Sequence, residues 1–268
     1  MTEILLPFLK WAGGKRWLVS EYLDLFPKKF ERLIEPFTGS GAVFFALRPP
    51  QAVLADLNPR IIGTYLAIRD ELPLFVRYFN QFARSHSREQ YYEVRQKVYK
   101  SRARSAAQFL YLNRVCFNGI YRENLKGQFN VPLGSKSKAT LATDRFVETS
   151  RMLSGVDLVV SDFERIIDSS KEGDFVYVDP PYTTKHNLNG FIKYNQKIFS
   201  WSDQERLARA VIAASARGAL VMVSNADHED VAALYRGHLR IEKVERINVL
   251  SATAVHRGRV TELVATNV

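Results

Sequence analysis

Hydrophobic and polar positions follow two rhythms along this chain. Short apolar runs at 32–36, 52–55, 157–162, 174–179, 218–224, 240–248 and 261–267 read as strands, because β-branched and aromatic residues suit a buried pleated surface. Between them apolar positions recur every three to four residues, most clearly at 41–48, 59–69 and 203–217, the period of an amphipathic helix. Strands alternating with helices predict a doubly wound, mostly parallel α/β sheet. The interval 70–146 breaks the alternation. It carries helical periodicity at 72–85, 89–100 and 104–116, then a loop at 118–138 punctuated by Gly, Asn and Pro, with no clear strand. The pattern predicts a helical insertion at 70–146 in an α/β domain built from 1–69 and 147–268.

Composition narrows the function classes. With 268 residues, 46% of them hydrophobic, the chain can bury one large core plus a small inserted domain. No apolar run approaches the roughly 20 residues needed to cross a bilayer, and the apolar stretch within Met1–Lys10 is too short for a signal peptide. The single cysteine, Cys116, excludes an intramolecular disulfide and reads as a small buried residue among apolar neighbours. Five scattered histidines offer no metal-ligand spacing, so a metal-free cytoplasmic protein is expected. The net charge of +10 is concentrated: residues 70–146 hold 14 Lys and Arg against 6 Asp and Glu, a net +8. A basic block can be merely a solvated helical face. Here it is interleaved with Tyr91, Tyr92, Tyr99, Phe109, Tyr111, Phe117, Tyr121 and Phe129, which favours a polyanion with bases to contact and makes the insertion a DNA-facing module.

The chemistry concentrates at strand ends. Asp179-Pro180-Pro181-Tyr182 closes the run Phe175–Val178, placing a carboxylate, two rigid prolines and an aromatic ring at the carboxyl end of a buried strand, where open α/β sheets bind ligands. The prolines carry no N–H, so the backbone there offers acceptors, which with a flat ring suits an exocyclic amino group on a nucleobase. A bare Pro-Pro would only mark a turn; a hydrophobic strand ending in this tetrapeptide is far more specific. Glu35-Pro36-Phe37-Thr38-Gly39-Ser40-Gly41 follows a strand and opens a helix, so its glycines permit a tight turn and close approach of a ligand. Phe44 stands where a dinucleotide fingerprint needs its third glycine, which disfavours nicotinamide. Asp56 ends the run Ala52–Ala55, a place suited to gripping ribose hydroxyls, although an isolated Asp there is by default a turn or N-cap residue. Lys10-Trp11-Ala12-Gly13-Gly14-Lys15 could wrap a carboxylate-bearing ligand, or simply be a loop with Trp11 in the core.

In this order, and with Phe117-Asn-Gly-Ile-Tyr-Arg122, Phe129-Asn-Val-Pro132, Gly173–Tyr182, Val221-Met-Val-Ser-Asn225 and Arg257–Asn267, these segments resemble the D12 class DNA adenine-N6 methyltransferases of the Dam and DpnM type over essentially the whole chain. The resemblance implies a Rossmann-like S-adenosylmethionine-dependent methyltransferase sheet with an inserted helical target-recognition domain. It implies S-adenosyl-L-methionine as cofactor and S-adenosyl-L-homocysteine as product. Trp11, Lys15, Phe37, Gly39 and Gly41 would surround the methionine half, Asp56 would take the ribose hydroxyls, and Asp162 with Phe163 would bind the adenine. Asp179 and the Pro180 carbonyl would accept from the amino group of an adenine flipped out of double-stranded DNA, with Pro181 shaping the turn, Tyr182 stacking on the ring and Asp179 also bordering the cofactor.

The same resemblance assigns sequence reading to the insertion. Phe117 and Asn118 would enter the stack, Arg122 would read a guanine, Ile120 and Pro132 would meet thymine methyls, and Lys10 would reach the first base pair of a GATC-like site. By its loop position alone, Arg122 could equally be an ordinary surface arginine. After Gly134 the family often continues Arg-Tyr-Lys; this chain has Ser135-Lys136-Ser137-Lys138, so Lys136 and Lys138 are the candidates for phosphate contact, with Arg257 beside His256 in a basic loop. His186 and His228 have no partners at metal or triad spacing, and the polar stretch 183–199 reads as a lid. A monomer in a bacterial or phage setting is expected, and a cognate restriction endonuclease is the protein partner such an enzyme can have. Two other classes compete: a methyltransferase acting on RNA or a protein glutamine, since the tetrapeptide suits any planar nitrogen, and a catalytically inactive DNA-binding regulator. The intact Asp179–Tyr182, Phe37–Gly41 and Asp56 argue against the latter.

Overall fold

The computed structural model describes residues 5–124, 127–183, 199–247 and 259–268. Seven strands lie among them: β1 Arg32–Glu35, β2 Ala52–Asp56, β3 Asp157–Val160, β4 Asp174–Val178, β5 Leu220–Ala226, β6 Arg240–Ile247 and β7 Arg259–Thr266. Each begins and ends within two residues of the expected run. They hydrogen-bond in the order β3-β2-β1-β4-β5-β7-β6. β1 pairs parallel with β2 and with β4, β4 pairs parallel with β5, and β7 runs antiparallel between β5 and β6. This is the mixed, mostly parallel, Rossmann-like α/β sheet expected. The chain order reverses between neighbouring β1 and β4, so their carboxyl ends, at Glu35 and Asp179, sit at the topological switch point where such sheets take ligands. All five residues of β4 are buried, Asp174 through its ion pair with Arg32 and the apolar run Phe175–Val178 by having both faces covered, which is why that run does not alternate.

The helices are α1 Arg16–Glu21, α2 Ala42–Leu47, α3 Pro59–Asp70, α4 Leu72–Arg84, α5 Arg88–Gln96, α6 Arg102–Val115, α7 Phe146–Met152, α8 Phe163–Asp168, α9 Trp201–Ala216 and α10 Glu229–Tyr235. One boundary departs from expectation. The periodicity predicts a helix to residue 100, but α5 stops at Gln96 because the buried Gln108 of α6 donates to the Val94 and Lys97 carbonyls at 2.6 and 2.7 Å. That side chain satisfies the orphan end of the helix and frees the next residues to run extended.

Two compact units are formed. The first comprises the described parts of Met1–Val19, Thr38–Arg48 and Asp56–Val160. In it α6, buried along nearly its whole length, packs on α3 and α4. Its Arg114 is 2% exposed, and the charge is fully engaged: both Nη atoms bond Asp144, at 2.7 and 2.6 Å, and the guanidinium also donates to the Phe8 and Ala139 carbonyls. The second unit comprises Ser20–Phe37, Pro49–Ala55 and the described parts of Ser161–Val268, with β1, β2 up to Ala55, β4, β5, β6 and β7 and the helices α8, α9 and α10. No helix among the described residues is long and apolar enough to cross a membrane.

Candidate active site

In the first unit the site is organised around Asp56, where β2 ends. Its Oδ2 accepts the Gly39 N–H at 3.0 Å and its Oδ1 the Asn58 N–H at 2.9 Å. Asn58 in turn caps α3, accepting from the Arg60 N–H at 2.9 Å, with Pro59 in the first turn. Burial outweighs the two backbone bonds and pushes the Asp56 carboxyl up to about 6. Each oxygen keeps a further acceptor position, an arrangement suited to two adjacent hydroxyls.

Gly39 and Gly41 both have left-handed backbone, φ +47° and +64°. A side chain at Gly39 would begin 2.7 Å from the Trp11 indole, and one at Gly41 would begin 2.8 Å from the Tyr65 hydroxyl. Part of the close approach anticipated for a ligand is therefore made by the protein itself. Trp11 also stacks with Tyr121, at 5.6 Å and 26°. Lys15 is 2% exposed and donates to the Gly13 carbonyl at 2.7 Å.

Of the residues expected to meet DNA, Lys10 and those between 117 and 138 belong to the same unit. Asn113, fully buried in α6, accepts from the Lys10 N–H at 3.0 Å and donates to the Lys10 carbonyl at 2.8 Å and the Gly119 carbonyl at 3.3 Å, tying segment 10–15 to segment 117–122. A 3-10 turn at Phe117–Gly119 puts Asn118 in the left-handed region, φ +54°, which Asn tolerates better than most residues. Phe117 is 53% exposed, a rare state for so large an apolar ring, and its N–H bonds the Pro132 carbonyl at 2.9 Å. Asn118 and Pro132 are exposed and Ile120 half-buried. The exposed Arg122 donates through Nε to Asn130 Oδ1 at 2.9 Å, and the Asn130 N–H returns a bond to the Arg122 carbonyl at 3.1 Å. Lys136 and Lys138 are exposed; partial burial, and then the Lys10 ammonium beside it, pull the Lys136 ammonium below the ordinary lysine value. Arg257, His186, His256 and nearly all of the expected lid lie outside the described residues.

In the second unit, Asp179-Pro180-Pro181-Tyr182 leaves the end of β4 as expected, with Asp179 half-buried. The Tyr182 hydroxyl donates to Glu262 Oε2 at 2.6 Å, and Arg246 Nε donates to Glu262 Oε1 at 2.6 Å, so a buried carboxylate of β7 anchors the ring. Burial first, and then the charges of Asp179 and Glu262, hold the Tyr182 phenol well above its ordinary value, keeping it a neutral donor. Tyr182→Phe should preserve stacking but remove a donor from Glu262, lowering stability by about 1.5–3 kcal/mol; an unchanged urea midpoint would show that the bond contributes nothing.

Asp162 caps α8, its Oδ1 accepting the Glu164 N–H at 3.0 Å. Phe163 is 5% exposed and stacks on the more open Phe37 at 5.4 Å and 25°. Three residues of these settings were given no role by the sequence: Asn113 and Arg206, which lie outside the quoted segments, the latter an ion-pair partner of Asp162, and Glu262, which lies within Arg257–Asn267. Asn113 had a visible signal, a polar residue closing the apolar run Phe109–Leu112; the others are joined to their partners only by the fold. Cys116 is buried, and burial pushes its thiol up to about 11, as befits an inert packing residue.

Residues 11–250 match the profile of the D12 class N6 adenine-specific DNA methyltransferases. The chain is 35% identical over 270 residues to the type II methyltransferase M1.LlaDCHI of Lactococcus lactis subsp. cremoris, covering 97% of this chain and 95% of that one. It is 34% identical to the DNA adenine methylase of Serratia marcescens, covering 96% and 97%, and 31% identical to that of Escherichia coli K12, covering 96% and 94%. Profile, relatives and strand order agree, and the chain belongs to the D12 class N6 adenine-specific DNA methyltransferase family.

Proposed function

We propose that this protein transfers a methyl group from S-adenosyl-L-methionine to the N6 amino group of an adenine flipped out of double-stranded DNA, within GATC or a related short site. The observation that carries this reading is Asp179-Pro180-Pro181-Tyr182 at the carboxyl end of buried β4, at the switch point of the sheet. The Asp179 carboxylate and Pro180 carbonyl accept the two amino protons, and Tyr182, fixed by Glu262, stacks on the ring. These contacts leave the nitrogen lone pair free to attack, so the residues act by orientation and electrostatics. The cofactor supplies an electrophilic methyl on a sulfonium. Asp56, with an open acceptor position on each oxygen, takes the ribose hydroxyls; Trp11, Lys15, Gly39 and Gly41 surround the methionine half; Asp162 and Phe163 form the adenine pocket, to which we reassign Phe37 from the methionine half because it stacks on Phe163. Residues 70–146 serve as the target-recognition module. Incubation with plasmid DNA and labelled cofactor, followed by mapping of modified bases, tests the reading; methyl groups on RNA or protein but never on adenine in DNA would end it.

Asp56→Ala is expected to weaken cofactor binding by about 1.5–3 kcal/mol, the loss of a charge-assisted hydrogen bond, without changing the sequence methylated. The ionised carboxylate is the form that accepts from hydroxyls, so affinity should fall as pH drops through about 6, and Asp56→Asn should flatten that dependence. The unliganded fold has the opposite sign. A carboxyl raised above its unfolded value favours folding at low pH, and that contribution is lost as pH rises through about 6. Calorimetric titration between pH 5 and 8 is the check, and a flat wild-type profile would return Asp56 to the role of a turn residue.

A further inference from the structure

Arg206, on α9, converges on the carboxylate and ring assigned above to the cofactor's adenine. Its Nη1 donates to Asp162 Oδ1 at 2.8 Å and its Nη2 to Asp162 Oδ2 at 2.9 Å, a two-point grip that fixes the plane of the carboxylate. The same guanidinium bonds Glu164 at 3.0 Å and Asp203 at 3.1 Å and lies 4.2 Å from the centroid of the Phe163 ring. Asp203 is itself locked in the capping box with Ser200 that begins α9. Arg206 and its three carboxylate partners are each 30–41% exposed, and exposed ion pairs add little to stability. Orientation is what so many contacts achieve.

Counting acceptors shows what is being oriented. Oδ1 of Asp162 is filled by the Glu164 N–H and Arg206, while Oδ2 receives Arg206 alone. One acceptor position remains, on Oδ2. An ionised carboxylate only accepts, so that position attracts a 6-amino group on a purine and repels a 6-oxo group.

We propose that Arg206 is a positioning residue that sets the base selectivity of the cofactor pocket, aligning the remaining lone pair of Asp162 toward the 6-amino group of adenine. The inference rests on the S-adenosylmethionine reading above. It is tested by calorimetric titration of the full chain with S-adenosylhomocysteine and with its 6-oxo counterpart, S-inosylhomocysteine.

The wild-type protein should prefer the amino ligand by about tenfold or more. Arg206→Ala should cut that ratio at least about fivefold by weakening the adenosyl ligand, leaving the inosyl ligand within about twofold, and Arg206→Lys, which keeps the charge but loses the fork, should fall between. Asp162→Asn with Arg206 intact should reverse the preference, because the arginine holds the amide oxygen and turns the amide N–H outward. A merely structural role would weaken both ligands alike. That result, an unchanged ratio in Arg206→Ala, or an Asp162→Asn variant that still prefers the adenosyl ligand would overturn the assignment. A wild type that binds both ligands equally removes the role of Arg206 and leaves the cofactor reading standing; one that binds neither removes both.

Discussion

Asp179→Ala should lower the methylation rate by about 100-fold or more while leaving S-adenosylhomocysteine affinity within a few-fold of wild type. The carboxylate follows β4, and its charge is felt by two phenols: after burial, it is the largest influence holding both Tyr177 and Tyr182 above their ordinary values. A half-buried carboxylate near two neutral tyrosines interacts more strongly than one in bulk water with a nitrogen that gains positive charge during attack. A contribution made in the transition state places the expected loss in kcat more than in KM. Asp179→Asn keeps one acceptor oxygen in the same place and should lose less than Asp179→Ala. Single-turnover kinetics on a plasmid of known methylation state give the comparison. An alanine variant with near wild-type turnover, or one whose only defect is cofactor affinity, would take the catalytic role away from this carboxylate.

What the sequence made legible follows from how local each cause is. β4 could be placed because all five of its residues are buried and its run is uninterrupted. α3 could be placed by its periodicity at 59–69, and its start has an equally local cause, the Asn58 cap followed by the helix-compatible Pro59. The early end of α5 was not, because it is imposed by Gln108, more than ten residues downstream. The glycines at 39 and 41 announced a tight turn and a close approach, but nothing in their neighbourhood pointed to Trp11 or Tyr65 as the groups filling the space. Glu262 is 80 residues from Tyr182, and Arg206 is 44 from Asp162. Motifs showed which groups meet a ligand; that Glu262, inside one quoted segment, and Arg206, outside all of them, aim those groups came only from the fold.

Arg122→Ala is the variant expected to separate sequence reading from DNA affinity. Asn130 holds Nε of Arg122 at 2.9 Å, and the Asn130 N–H to Arg122 carbonyl bond ties the two backbones, so the guanidinium is oriented before DNA arrives, with its two terminal amino groups available for a guanine edge. If it reads a guanine, its loss should cost about 1–3 kcal/mol of discrimination and relax preference at one base pair only. Asn130→Ala should produce a weaker version of the same change, since it loosens the arginine without removing it. Lys136, close to the Lys10 ammonium, belongs to the other class: Lys136→Ala should weaken binding to all sequences and reduce the slope of log affinity against log salt by about one. Mapping methylated positions for each variant across a plasmid, together with binding at several salt concentrations, distinguishes the two. If Arg122→Ala lowers affinity uniformly, with the methylated sequence unchanged, the arginine contacts phosphate, and a GATC-like target loses its principal reader.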